Sequence, residues 1–376
     1  MGRAFVSALA VLVASVCWSQ ENSVAIRGAS VLTGDGAIIE AGTLVYAGGK
    51  INELGREVAP PAGADVIDGE GLYATPGFID AYSHFGLGFS ARSDRENLMA
   101  ASRRIADVLE IPPDSEWLRS GVTTTYVSPS GQNLIGGMGA VVKLTGVIVR
   151  GEGGVSASFG ETALEAFDAP TTRQGMVGIL RQTFVRAQED AIEGDEGRVF
   201  ARVLSGELPL RVLANTPDDI LTAIRLADEF DSKVILDSGA GAYRVSRELA
   251  AAGVPVVVGP SIVGMGNGGP YETFAHTPAN AAWLHEAGVR IAFGTASAGG
   301  RSVAMEAVVA KAHGLPEEAA LRAVTSDAAA ILGIGDRVGT LAPGLDADIV
   351  LWRNHPISTW AETVRVIVDG ETVFER

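Results

Sequence analysis

Cysteine is nearly absent from this sequence, because Cys17 is the only one in 376 residues. It lies in an N-terminal segment that we predict to be removed, so the mature chain would contain no cysteine. A chain without cysteine can form no disulfide and has no thiol for catalysis or metal binding. The sequence therefore excludes disulfide-rich scaffolds and thiol chemistry.

Basic residues are also scarce, with 29 Lys and Arg against 45 Asp and Glu, which gives a formal net charge of −16 at pH 7. Such a charge repels phosphate backbones, so we expect no nucleic-acid partner. Beyond the N-terminal segment no apolar run reaches about 18 residues, so we expect no membrane span. The length and the 47% hydrophobic content suit one large barrel with a small domain, or two ordinary domains.

The first 19 residues resemble a targeting segment. Arg3 precedes an apolar stretch from Ala4 to Val16, and the small residues Cys17 and Ser19 stand at positions −3 and −1 of a cleavage after Ser19. This pattern is typical of a secretory signal peptide and is too short to span a bilayer stably. We therefore predict a signal peptide over residues 1–19 and export to the periplasm or the extracellular space. A buried N-terminal helix is the alternative.

The two ends of the mature chain share one sequence pattern, in which short apolar strands are separated by glycine-containing turns. Residues 24–68 are rich in Val, Ile and Gly, and "GDG" and "GGK" mark hairpin turns between short strands. The C-terminal tail has the same character, with "VDG" as a turn. We predict that residues 20–75 and 337–376 form one composite β-sandwich domain.

The middle of the chain alternates strands with helices. Apolar strands such as "KVILDSG" and "VPVVVGP" alternate with helical segments such as "PDDILTAIRLADEF", and the last helix is predicted from Pro316 to Gly333. Repeated strand–helix units indicate a parallel sheet, and continuous apolar strands indicate burial of both faces. The number of repeats favours an α/β fold of the TIM-type (β/α)8 barrel over residues 76–336. A doubly wound sheet is the alternative.

The stretch "PGFIDAYSH", residues 76–84, has half of a metal-binding pattern. Residues two apart on a strand share one face, so a histidine at position 82 would point the same way as His84. Two such imidazoles could bind one ion. Tyr82 occupies that position instead.

Three segments together resemble the amidohydrolase superfamily. They are "TPGFIDAYSH", "TSDAAAILGIGDRVGTLAPGLDADIVLW" and "SPSGQNLIGGMGAVVKLTG" with "PTTRQG", the last being similar to an exported bacterial imidazolonepropionase-like subgroup. The resemblance implies a (β/α)8 barrel flanked by a β-sandwich built from both chain ends. It also implies hydrolysis of non-peptide carbon–nitrogen bonds by water that a divalent metal such as zinc activates.

The resemblance places the metal ligands and the base at the ends of barrel strands, and most of them are replaced here. Leu213 in "LRVLAN" and Ser238 in "VILDSGAGAY" stand where relatives have histidine, and Ala296 in "IAFGTASAG" stands where they have aspartate. With Tyr82, four positions have lost their ligand or base, and only His84 keeps its identity. Leu213 and Ala296 have no donor atom, and Tyr82 and Ser238 are poor ligands at neutral pH.

Two further residues are candidate metal ligands, namely Lys143 if it were carbamylated and Glu161 after the strand-like "VSASFG". The other histidines are expected to have surface or structural roles: His276, His285, His313 and His355. Two glycine-rich loops, "GQNLIGGMG" and "GPSIVGMGNGGPYETF", are expected over the barrel mouth.

Two functions remain open at this point. The first is a relative without catalytic residues that needs no cofactor and binds a small molecule at the barrel mouth or pairs with an active homologue. The second is an active exported hydrolase with an atypical metal site.

The signal-peptide prediction gives a direct test. N-terminal sequencing of the protein from its native host should begin near Gln20, because cleavage is predicted after Ser19. A cytoplasmic product that retains Met1 would contradict it.

Overall fold

A computed structural model describes residues 23–88, 91–94, 96–112, 116–261, 275–296 and 302–376. The predicted signal peptide lies outside these residues and stays a prediction. Among the helices in this part of the chain, none has both the length and the apolar character needed to cross a membrane.

Sixteen strands are present in the described residues: β1 (Val24–Leu32), β2 (Ile38–Ala47), β3 (Lys50–Gly55), β4 (Asp65–Asp68), β5 (Tyr73–Pro76), β6 (Phe78–Ser83), β7 (Val122–Val127), β8 (Ile135–Lys143), β9 (Ile148–Ser158), β10 (Leu210–Ala214), β11 (Val234–Ser238), β12 (Val256–Val258), β13 (Ile291–Phe293), β14 (Ile349–Arg353), β15 (Glu362–Val368) and β16 (Glu371–Glu375). The α-helices of the same part of the chain are α1 (Glu116–Arg119), α2 (Glu161–Glu165), α3 (Arg173–Gln188), α4 (Gly194–Leu204), α5 (Pro217–Glu229), α6 (Ser246–Ala252), α7 (Asn280–Glu286), α8 (Val303–Ala312), α9 (Glu317–Ala323) and α10 (Ser326–Leu332).

The two chain ends form one sheet, in the order β16-β15-β14-β5-β1-β2-β3, with β4 paired to β1. The ends meet where β5 and β14 run antiparallel, with Tyr73 opposite Trp352. Asp369 and Gly370 both have positive φ, 50° and 81°, as the tight turn between β15 and β16 requires. The prediction that both ends share one β domain is confirmed, and the boundaries at residues 75 and 337 stay predictions.

A second sheet curls into a nearly closed barrel, in the order β13-β12-β11-β10-β9-β8-β7-β6. Its outer strands meet because the Ala296 amide donates to the Tyr82 carbonyl at 2.9 Å. The predicted barrel is confirmed, and this near-closure disagrees with the doubly wound alternative. One strand, β8, runs antiparallel to both β7 and β9. The hairpin between β8 and β9 turns at Gly146, whose φ is +95°.

The helices begin and end where the sequence provides caps. The side chain of Thr216 accepts from the Asp219 amide at 3.2 Å, and Pro217 occupies the first turn of α5. The helix predicted from Pro316 to Gly333 is instead two helices, α9 and α10. The break occurs at Val324, whose carbonyl accepts from the Ile79 amide of β6 at 2.8 Å. A backbone contact with the barrel therefore interrupts the helix.

The barrel interior contains a buried ion pair. The Nε and Nη2 atoms of Arg211 lie 3.0 and 2.5 Å from the two carboxylate oxygens of Asp237, and Nη2 also donates to the Ala81 carbonyl at 2.8 Å. The guanidinium carbon lies 3.7 Å from the centre of the Tyr126 ring. Gly154 leaves room for this arrangement, because a Cβ there would be 3.0 Å from Cγ of Arg211. Strands β6, β7, β10 and β11 are thereby joined inside the barrel.

Lys143 connects the barrel to the small sheet. Its buried Nζ lies 2.8 Å from Asp346, 2.9 Å from Asp348 and 2.5 Å from Asp369. Burial alone would lower the pKa of Lys143, but the three carboxylates outweigh it and hold that pKa above its ordinary value. Lys143 pairs with Thr124 near the beginning of β7. It therefore lies at the end of the barrel where the parallel strands begin. Its interpretation as a carbamylated ligand is therefore corrected. A charged amine engaged by three carboxylates cannot reach the opposite end of the barrel, where the parallel strands end and the other candidate ligands lie.

The Lys143 contacts predict an asymmetric effect on stability. Lys143→Met should lower the free energy of unfolding by about 3–5 kcal/mol, because it leaves buried carboxylates without their cation. Lys50→Met is the matched control. Lys50 also bonds Asp346, at 2.6 Å, but its side chain is 50% exposed. It should cost less than about 1 kcal/mol. Equal losses in urea unfolding would contradict this assignment.

Candidate functional site

The predicted site positions lie at the carboxyl ends of barrel strands, where barrels of this type carry their active sites. They are Tyr82 in β6, His84 just after it, Leu213 in β10, Ser238 at the end of β11 and Ala296 after β13. Tyr82 contacts both His84, with ring centres 5.5 Å apart, and Ala296, through the backbone bond that closes the barrel. Leu213 and Ser238 are on neighbouring strands, since Ala214 pairs with Ser238. We call this end of the barrel the mouth.

The two ring nitrogens of His84 differ, because only Nδ1 has a hydrogen-bond partner among the described residues. Its Nδ1 lies 2.9 Å from the Ser128 carbonyl oxygen, which can only accept, so Nδ1 bears the hydrogen. Burial lowers the pKa of His84, and the nearby positive charge of Arg92 lowers it further, although the bond to Ser128 opposes the change. A neutral ring with a lone pair on Nε2 results. Such a nitrogen can accept a hydrogen bond or bind a metal.

Tyr82 and Leu213 contribute no metal ligand at neutral pH. Burial raises the pKa of the Tyr82 phenol, so it stays protonated. The Leu213 side chain instead packs against Gly131, since a Cβ on Gly131 would lie 2.3 Å from its Cδ2. The predicted glycine-rich loop of residues 131–139 is a loop only over residues 131–134, because residues 135–139 belong to β8. The absence of a side chain at Gly131 lets Leu213 approach this loop closely.

Ser238 and Ala296 have an unusual backbone conformation, but neither side chain is a good metal ligand. Their φ values are +71° and +48°, in the left-handed region that residues other than glycine rarely adopt. Strain of this kind clusters at functional sites. The serine hydroxyl is a weak ligand and alanine has none. In the residues that the structure describes, no group of three or more His, Cys, Asp or Glu side chains is placed to hold a metal.

A catalytic zinc site usually has three protein ligands and a water. The five predicted positions offer the imidazole of His84, a protonated phenol, a hydroxyl and two apolar side chains. These residues do not fit the metal that the resemblance implies.

Glu161 begins α2 near the end of β9, and its carboxylate is 4.0 Å from Arg173. Arg173 also lies 2.9 Å from Asp219. Glu161 is thus engaged with a cation of α3.

Three of the remaining histidines lie on the barrel, and the fourth, His355, follows β14 of the small sheet. His276 precedes α7 and burial lowers its pKa, His285 lies in α7, and His313 contacts the Val309 carbonyl of α8 at 2.8 Å. His355 lies 3.4 Å from Glu317. Most of the second glycine-rich loop, residues 262–274, lies outside the described residues.

Asp80 was missed by sequence reasoning. This buried side chain accepts from the Thr295 amide at 3.1 Å and from the Tyr82 amide at 3.2 Å, and it contacts the Thr295 hydroxyl at 2.6 Å. It thereby joins β6 to the segment after β13. Burial raises the pKa of Asp80 to about 7, against the lowering effect of these hydrogen bonds. A charged residue within an apolar strand was the available signal.

Comparison with known proteins agrees with this architecture. A family model described as "Amidohydrolase family" matches residues 270–373. An amidohydrolase from Thermotoga maritima MSB8 shares 28% sequence identity with this chain. Its crystal structure superimposes with a TM-score of 0.86, and the match covers 94% of this chain and 100% of that chain. The chain belongs to the amidohydrolase superfamily.

Two curated relatives extend the similarity along the sequence. An imidazolonepropionase from Rhizobium meliloti is 27% identical over 84% of this chain and 86% of that protein. The amidohydrolase tasK of Hapsidospora irregularis is 25% identical over 84% of this chain. The match covers only 38% of the length of tasK.

Asp80 predicts a pH dependence of stability. Because its folded pKa is raised above the ordinary value of 3.8, the folded state binds the proton more tightly. The contribution of this proton is complete below about pH 4 and is lost as the pH rises through about 7, amounting to at most roughly 4 kcal/mol.

Asp80→Asn imitates the protonated acid, so its free energy of unfolding should fall less between pH 4 and pH 8 than that of the wild type. Urea titrations across that range measure this. Identical pH profiles would contradict the assignment.

Proposed function

We propose that this amidohydrolase-superfamily protein has lost metal-dependent hydrolysis of carbon–nitrogen bonds and acts by binding a small molecule at the mouth. The observation that carries the proposal is the donor set at these five positions, which lie at the ends of four strands and among which His84 is the sole remaining family ligand. Pairing with an active homologue is the variant of this proposal in which the bound partner is a protein.

The chemistry of the mouth opposes a bound dication. Leu213 and Ala296 put apolar surface beside His84, and burying an uncompensated divalent charge there is costly. Ala296 also replaces the carboxylate that would take the proton of the attacking water. A neutral water keeps its bulk acidity without an ion and is a poor nucleophile at neutral pH.

The same groups suit binding. The Nε2 lone pair of His84 can accept a hydrogen bond, and the buried hydroxyl of Ser158, next to Gly131, has no hydrogen-bond partner among the described residues. A ligand at the mouth would satisfy both groups, since buried polar atoms ordinarily have partners. The Leu213–Gly131 contact keeps the loop in place above them.

An active exported hydrolase with an atypical metal site is the second candidate. It is favoured by the similarity to an imidazolonepropionase over 84% of the chain and by the Nε2 lone pair of His84. Export itself is proposed from the N-terminal pattern alone.

Metal content distinguishes the two candidates. Protein incubated with zinc sulfate and then desalted should hold well under one zinc per chain by elemental analysis, because His84 is the only family ligand at the five predicted positions. The fourfold variant Tyr82→His, Leu213→His, Ser238→His, Ala296→Asp should hold substantially more. The matched control has the same changes with His84→Ala and should hold less than the fourfold variant.

A contrary result is equally well defined. Stoichiometric zinc in the wild type, with amide hydrolysis that a chelator abolishes and that His84→Ala removes, would restore the enzyme interpretation.

A further inference from the structure

A second cavity, of about 690 Å³, lies at the end of the barrel opposite the mouth. Pro209, Val234 and Pro255 line it, and these residues stand just before or at the beginning of β10, β11 and β12. Residues of α5 and α10 complete the wall. We call it the basal cavity. Its volume lies within the range of small-molecule sites.

The floor of the basal cavity is apolar. Ile235 and Ile331 line it while being only 6% and 8% exposed, and both belong to the hydrophobic cluster inside the barrel. Ile224 of α5 adds a further aliphatic side chain to the lining. A branched aliphatic group placed here would bury its apolar surface against these aliphatic side chains. Removing that surface from water is favourable.

Charged groups of both signs surround this floor. Arg150 donates to two backbone carbonyls, at 3.2 and 3.4 Å, and has no carboxylate partner within the described ranges. A Cβ on Gly333 would lie 2.5 Å from Nη1 of Arg150, so glycine at that position leaves room for the guanidinium. Three further charged residues line the cavity: Lys233, Asp228 and Asp231. Among the described residues they form no ion pair.

We propose that the basal cavity binds a zwitterion with an aliphatic tail, the chemical class of the apolar α-amino acids. The Arg150 guanidinium matches a carboxylate in geometry and charge. Asp228 and Asp231 balance the ammonium, and Ile235 with Ile331 receives the tail. The inference goes beyond the proposed function and does not rest on it, because none of these residues lies at the mouth.

Titration of the wild-type protein with L-leucine, followed by NMR of the Gly153, Lys233 and Gly333 amides, tests the proposal. Saturable shifts are expected. 4-Methylpentanoate lacks the ammonium and 3-methylbutylamine lacks the carboxylate, so each should bind at least about tenfold more weakly than leucine. No shift with leucine, or tighter binding of either analogue, would overturn the proposal.

Variants assign the contacts. Arg150→Met should weaken leucine binding at least about tenfold, and Arg150→Lys, which keeps the charge without the planar fork, should weaken it less. Arg104→Met, in a different cavity, is the charge-matched control and should bind as the wild type does. Undiminished binding in Arg150→Met, or an equal loss in Arg104→Met, would contradict the site. His84→Ala should leave leucine binding unchanged, and a loss there would place the ligand at the mouth instead.

Discussion

The ion pair between Arg211 and Asp237 fixes the arrangement of charged side chains inside the barrel. Both side chains are almost fully buried, and each charge is tolerated only because the other is bonded to it. Burial raises the pKa of Asp237 while the Arg211 guanidinium opposes the rise. The pair joins neighbouring strands and reaches the Ala81 carbonyl of β6. The carboxylate nearest the mouth on β11 is therefore committed to structure and is not available to a ligand or a proton.

We propose that the mouth above this pair keeps the backbone form of a metal site without its ligands. Ser238 and Ala296 keep left-handed backbone conformations at the ends of strands, although neither offers the side chain that the family places there. Leu213 makes a packing contact to Gly131 at a position where the resemblance implies a ligand. A fold can persist through such replacements because its stability comes from other contacts, here Lys143 with its aspartates and Arg211 with Asp237.

Much of this architecture is readable from the sequence, and the rest depends on pairing. Short strands with glycine turns at both chain ends predict a shared sheet, and strand–helix alternation predicts the barrel. The direction of β8 is decided by its neighbours β7 and β9, which local sequence does not specify. Lys143 was recognisable at a strand end, but only the reversed direction of β8 shows which end of the barrel it faces.

The site was predictable to the extent that family motifs mark positions. Arg211 and Asp237 are visible as charges within apolar strands, but their pairing across 26 residues requires the fold. Asp80 likewise shows its role only when Thr295 is brought beside it.

The central claim is that the mouth cannot assemble a metal site, and anomalous diffraction tests it most directly. Crystals soaked in zinc and measured at the zinc absorption edge should show no peak bonded to His84 together with two further protein ligands. A strong peak there, within about 2.0–2.2 Å of three protein donor atoms, would contradict the account.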